Sequence, residues 1–150
     1  CHDPANISVA SFIGSPPMNL LDGMIEKHDG TVKVRLPGGS GQRFSIPVAF
    51  AKDATEGQTV QLGLRPEILS VEAGEGREVL NCSVDLVEPL GAEALLHGTA
   101  DGQPFIAKAE TLYGDRALAG VSRLSIDTAR VHVFDAATGR SLKDRDGARP

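Results

Sequence analysis

Short apolar runs broken by glycine- and proline-bearing turns recur along the whole chain, and that punctuation favours strands over helices. Thr31-Val32-Lys33-Val34-Arg35-Leu36 alternates strictly, with Val32, Val34 and Leu36 on one face. Asp29-Gly30 and Asp101-Gly102 are dipeptides that fit two-residue hairpin turns. Further strands are expected over 20–27, with a weak spot at Asp22-Gly23, and over 43–47, 59–64, 94–98, 104–108, 121–127 and 130–134. The longest is expected over 79–90, alternating through Val84, Leu86 and Val87 and bent by Gly91. Pro66 can open one helical turn, 37–41 is a loop, 73–76 a connector, and 135–139 a turn. Short strands at roughly 8–12-residue spacing make an all-β fold, a barrel or a sandwich. Two strand groups, about 20–70 and 78–135, suggest two lobes.

One helix is expected, over 3–14. Asp3 caps it, Pro4 sits at its first position, Gly14 stops it and Pro16-Pro17 prevents its resumption. Its apolar residues Ile7, Val9, Ala10, Phe12 and Ile13 call for a partner, because so short a helix is marginal alone. The first residue is Cys1 rather than Met, which reads as a piece of a longer protein.

Composition narrows the function. A chain of 150 residues can bury a core without disulfides or metal. With 15 basic and 20 acidic side chains it carries a net charge of −5, which disfavours nucleic acid and anionic lipid as generic partners. Five Phe, one Tyr and no Trp are too few for a base-stacking platform. Cys1 and Cys82 form no disulfide framework, which fits a reducing compartment, and Cys82 reads as a small buried side chain. No apolar run reaches the roughly 20 residues of a membrane span, and the polar start is not a signal peptide.

Four motifs occur in order. They are Phe12-Ile13-Gly14-Ser15-Pro16-Pro17-Met18-Asn19, Leu62-Gly63-Leu64-Arg65-Pro66-Glu67, Val87-Glu88-Pro89-Leu90-Gly91-Ala92-Glu93, and His132-Val133-Phe134-Asp135 with Thr138-Gly139. Together they resemble the carboxyl-terminal part of the ATP-binding subunits of sugar-importer ABC transporters, of the maltose and glycerol-3-phosphate class. After the second motif that family usually has His, and this chain has Ile68. The resemblance implies a regulatory domain of oligonucleotide-binding (OB) type with OB-like barrel lobes over 19–142. Before it, residues 1–18 would be the last helix and linker of a nucleotide-binding domain, and after it 143–150 a charged tail. It also implies a cytoplasmic subunit on the inner face of the bacterial plasma membrane. That subunit pairs with a second copy, docks on permease subunits and, in some members, binds a regulatory protein. ATP and Mg²⁺ would belong to the full-length parent.

The chain itself has no G-x-x-x-x-G-K-S/T loop, so no phosphate cradle and no catalytic residues are expected in it. Leu36-Pro37-Gly38-Gly39-Ser40-Gly41-Gln42 is a poor match to the L-S-G-G-Q signature and reads as a hairpin loop. Arg65-Pro66-Glu67 has two readings: an interface element whose charges pair across lobes or subunits, or a turn fixed by Pro66 with Glu67 accepting local N–H bonds. Glu88 and Glu93 read as solvated carboxylates beside the Gly91 bend, and all three join Arg65, Pro66 and Glu67 as interface candidates. His2, His28, His97 and His132 are scattered without zinc-ligand spacing, so no metal site is expected. Tyr113-Gly114-Asp115 reads as a loop with an anchoring ring. The expected function is regulation and dimer stabilisation. The rivals are an oxyanion- or small-ligand-binding module, for which Gly38, Gly39, Gly41 and Arg43 are the only anion loop, and a nucleic-acid-binding OB protein.

Overall fold

A computed structural model of the chain describes residues 16–111 and 114–142. The expected helix over 3–14, the Tyr113 ring and the tail 143–150 lie outside these residues. The chain runs through β1 (Asn19–His28), β2 (Thr31–Arg35), β3 (Arg43–Ile46), β4 (Thr59–Leu64), β5 (Leu69–Ser70) and β6 (Arg77–Asn81). It continues through β7 (Ser83–Leu90), β8 (Glu93–Ala100), β9 (Gln103–Glu110), the short helix α1 (Asp115–Ala119), β10 (Arg123–Asp127) and β11 (His132–Asp135). Single 3-10 turns lie at Val48–Ala51, Pro66–Ile68 and Thr128–Arg130.

All strand pairs are antiparallel and fall into three sheets, ordered β11-β4-β1-β2-β3, β5-β10-β6 and β7-β8-β9. The Asp-Gly dipeptides close the hairpins as expected. Asp29 and Gly30 have φ of 50° and 79°, and Asp101 and Gly102 have 51° and 82°, the double positive φ of a type I′ turn. β1 runs unbroken through Gly23, where a Cβ would meet Val34 Cγ1 at 2.5 Å, so the glycine makes room for the neighbouring strand. β11 returns to the first sheet and pairs with β4, while β5 leaves the first strand group and pairs with β10. One hydrophobic cluster runs under all three sheets, from Leu21, Leu62 and Val133 to Leu69, Leu124 and Ile126, and to Leu96, Phe105 and Ala107.

Three expectations are corrected. The strand over 79–90 is two strands. The chain changes sheets at Cys82, whose N–H donates to Ser122 O at 3.0 Å, and no glycine or proline marks the break. Asp115, expected in a loop, instead opens α1 directly after Gly114, and α1 inserts Leu118 into the core. The described strands do not close into barrel lobes through their backbones. At the seam between β3 and β6 side chains replace the ladder: Ser45 N–H donates to Glu78 Oε1 at 3.0 Å, and the Gln42 carboxamide holds the carbonyl (3.0 Å) and the N–H (2.9 Å) of Asn81. A carboxamide carries one donor face and one acceptor face, as a peptide group does, and reaches across a gap too wide for backbone pairing.

Candidate functional site

Three of the four sequence motifs meet at one point of the fold. β4 pairs with β1 at Asn19↔Leu64 and with β11 at His132↔Gly63, which lays Met18, Gly63 and Phe134 side by side. A Cβ on Gly63 would fall 2.5 Å from Met18 Sδ, 2.9 Å from Phe134 Cε2 and 3.2 Å from His132 Cβ. Gly63 is therefore the floor on which the Met of the first motif and the Phe of the last are packed. His132 stacks along Phe134 on the same face, ring centroids 6.1 Å apart. Asn19, also of the first motif, donates to Leu64 O at 2.8 Å. The chain then turns at Asp135, whose carboxylate accepts from the Thr138 hydroxyl at 2.9 Å. That hydrogen bond, with weaker ones from Ala137 N–H and Gln58, holds the Asp135 pKa below its ordinary 3.8 against a smaller opposing effect of burial.

From this junction β4 leads into Arg65-Pro66-Glu67. Pro66 is buried at the first position of its 3-10 turn, and Ile68 N–H donates to Arg65 O at 3.0 Å. Ile68 is itself buried, so an apolar residue there completes the core. Neither the Arg65 guanidinium nor the Glu67 carboxylate has a hydrogen bond or ion pair among the described residues. Glu67 lines an open groove of about 410 Å³ together with Ser70, Val71, Glu72, Glu93, Lys108 and Glu110. Lys108 Nζ lies 3.9 Å from Glu93 Oε1, a long and exposed pairing.

The third motif is the β7–β8 hairpin. Gly91 carries the positive φ, 80°, of its two-residue turn, so it reverses the chain rather than bending one strand. Glu88 Oε1 and His97 Nε2 lie 2.9 Å apart across the two strands. Glu93 opens β8 and reaches the groove shared with Glu67. The fold thus gathers Glu67 and Glu93 at one groove, places Gly91 at the adjoining turn, and leaves Glu88 further along the hairpin. Sequence alternation put Leu86 on the same face as Val84, but a bulge between Val84 and Leu86 shifts the phase. Leu86 and Leu90 are 58% and 50% exposed in consequence. Pro89 between them was the available signal, since proline inside a strand marks an edge.

The glycine loop over 38–41 lies elsewhere, between β2 and β3, and it already holds an anion of this same chain. Ser40 Oγ donates to Asp101 Oδ1 at 2.6 Å, and Gln42 Nε2 to Asp101 Oδ2 at 3.3 Å. Arg43 is directed at Glu26, which accepts from Arg43 Nε at 2.8 Å and faces Arg35 at 3.2 Å. Gly38, Gly39 and Gly41 are therefore not assembled with Arg43 around a common point. Nor do these residues fit a magnesium–nucleotide: the sequence has no phosphate loop, and its one glycine-rich loop is filled by the Asp101 carboxylate. Cys82 lies at the sheet switch, and burial pushes its thiol pKa up to about 11.

Comparison with known proteins agrees with this arrangement of motifs. The family of MalK OB fold domains matches residues 14–69, and the TOBE domain family matches residues 62–134. The chain is 41% identical over 140 residues to the sn-glycerol-3-phosphate import ATP-binding protein UgpC of Jannaschia sp. (strain CCS1), covering 93% of this chain and 36% of that protein. It is 37% identical over 142 residues to the UgpC of Chromobacterium violaceum, with 93% and 36% covered. The alpha-glucoside transport ATP-binding protein AglK of Rhizobium meliloti is 34% identical over 146 residues, with 93% and 38% covered. The chain thus spans little more than a third of these relatives' length. A solved structure of the cytoplasmic molybdate-binding protein ModG, with molybdate bound, shares the fold at a TM-score of 0.57 and 15% identity, covering 81% of this chain and 97% of that one. With both domain families in sequence along it and its motifs joined at Gly63, the chain belongs to the MalK-type OB and TOBE domains that form the C-terminal part of sugar-importer ABC transporter ATP-binding subunits.

Proposed function

We propose that this chain stabilises the dimer of an ABC importer's ATP-binding subunits and regulates it, without catalysis of its own. In the parent protein, residues 1–18 would continue from the nucleotide-binding domain, 19–142 form the regulatory domain and 143–150 a charged tail. ATP and Mg²⁺ would be held by that preceding domain, which would also carry the contact to the permease subunits on the inner face of the plasma membrane. The observation that carries the reading is the β7–β8 hairpin. Two leucines half or more exposed flank a proline-blunted edge, beside a groove rimmed by Glu67, whose charge has no partner in the described chain. A second copy is the partner that covers such a face twice by symmetry. Holding two subunits together through this domain leaves the nucleotide-binding halves free to open and close, and regulation follows from contacts that differ between the two states.

The test is sedimentation equilibrium of the chain and of the Leu86→Asp, Leu90→Asp double variant. The chain should dimerise, and the variant should dissociate with a constant raised about a hundredfold or more, the loss of two apolar anchors. Equal association of the two proteins would remove this face from the interface.

A second reading, oxyanion binding, has the likeness to the molybdate-binding ModG fold in its favour. The Asp101 carboxylate in the 38–41 loop counts against it. A thermal shift with molybdate that is absent with chloride would favour it. Nucleic acid is disfavoured by the net charge of −5.

A further inference from the structure

The first sheet and the β7-β8-β9 sheet meet without a backbone ladder. β1 pairs with β2 only from Met24 onward, so residues 19–23 have β4 on one side and an unladdered edge on the other. That edge faces β9, the outer strand of its own sheet. Two carboxamides fill the seam from opposite sides. Asn19 accepts the Ile106 N–H at Oδ1 (2.7 Å) and donates from Nδ2 to Ile106 O (2.9 Å). Gln103 accepts the Asp22 N–H at Oε1 (2.7 Å) and donates from Nε2 to Asp22 O (3.2 Å). Each amide satisfies both peptide groups of one residue on the opposite strand, and the two clamps run in opposite directions. Asn19 also donates to Leu64 O at 2.8 Å, which ties the same side chain to β4. Met18 immediately precedes it, buried on Gly63.

We propose that Asn19 and Gln103 form a two-point joint. They are positioning residues that together set the angle of the β7-β8-β9 sheet on the five-stranded sheet. Two hydrogen bonds at one point leave a hinge, whereas four at two points fix an orientation. A displacement of residues 16–18 is then carried through Asn19 to β9, and from β9 to the hairpin that bears Leu86 and Leu90. The joint needs only this chain, so it stands or falls separately from self-association.

The test uses Asn19→Asp and Gln103→Glu, which keep the shape of each side chain but set a carboxylate oxygen against the carbonyl that its amide nitrogen served, at Ile106 O and Leu64 O for the first and Asp22 O for the second, so that repulsion drives the side chain out and opens both hydrogen bonds of that clamp. Amide exchange by NMR reads the two clamped N–H groups, with Leu62 in β4 and Leu96 in β8 as internal references. In Asn19→Asp the exchange of Ile106 should rise about tenfold, and that of Asp22, held only by the other clamp, should rise with it. The references should change less than twofold. Residual dipolar couplings should show the β7-β8-β9 sheet reoriented relative to β4. A rise at Ile106 with Asp22 unchanged would overturn the joint, since the clamps would then be independent. A uniform rise at all four amides would overturn it too, as plain loss of stability. Should Asn19→Asp fail to fold, Gln103→Glu gives the converse reading on a half-exposed side chain. It should raise exchange at Ile106, and no change there refutes the joint.

Discussion

Gly63→Ala places one methyl group where three motifs meet. The new carbon would lie 2.5 Å from Met18 Sδ and 2.9 Å from Phe134 Cε2. Contact distances for such atoms are about 3.5–4.0 Å, so roughly 1 Å must be found on each side. Phe134 and His132 stand on β11, which is laddered to β4, and yield little. Met18 yields more, at the cost of leaving its buried place. Overpacking costs about 1–3 kcal/mol, and exposing a buried methionine costs about 1.5–3 kcal/mol, so both routes give a similar loss. Alanine in a strand returns about 0.5–1 kcal/mol relative to glycine, which leaves a net destabilisation of about 1–2 kcal/mol. Urea melts followed by circular dichroism read this as a lower midpoint at unchanged slope. The mechanism is tested by the double variant. Met18→Ala alone should cost about 2–4 kcal/mol, and at least about 1 kcal/mol less in the Gly63→Ala background, because the clash partner is gone. A neutral Gly63→Ala, or additivity within about 0.5 kcal/mol, would refute the packing of the first motif on the second.

The same physics predicts a heavier penalty at Gly98. A Cβ there would strike the Ser83 carbonyl oxygen, a backbone atom of the paired strand, as well as Phe105 Cζ at 2.9 Å, so Gly98→Ala should lose about 3 kcal/mol in the same melts. Asp135 has a folded pKa below 3.8, so its carboxylate adds stability above the unfolded pKa of about 3.9 and loses it as pH falls through the folded value. Asp135→Asn should therefore weaken the fold above about pH 4, with the difference from the parent chain shrinking at lower pH in acid titrations of stability. With the Cys82 thiol at about 11, the thiolate fraction at pH 8 is about a hundredfold below that of an unshifted cysteine. Iodoacetamide should alkylate a Cys1→Ser protein correspondingly slowly until it is unfolded.

What the sequence made legible is local. The Asp-Gly hairpins, the period-two face of Val32 and Val34, and the Pro66 turn each depend on a few adjacent residues, and each is in place. The break at Cys82 depends on β10, which draws 77–81 into a different sheet from 83–90, and no neighbouring residue signals it. Leu86 does not share the face of Val84, as alternation had it, because the bulge at Asp85 displaces the pattern by one residue. The motifs themselves were visible, but their meeting at Gly63 is a product of pairing β4 with both β1 and β11. The 38–41 loop had the composition of an anion site. Its anion proved to be Asp101, which lies far off in sequence and was visible there only as part of a turn.

Self-association and indifference to nucleotide are the two properties the proposed function requires of this polypeptide. Sedimentation equilibrium of the chain, run with and without magnesium–ATP, tests them most directly. The expected result is a monomer–dimer equilibrium whose constant is the same in both buffers. A protein that stays monomeric at every concentration, or whose association moves with the nucleotide, would contradict it.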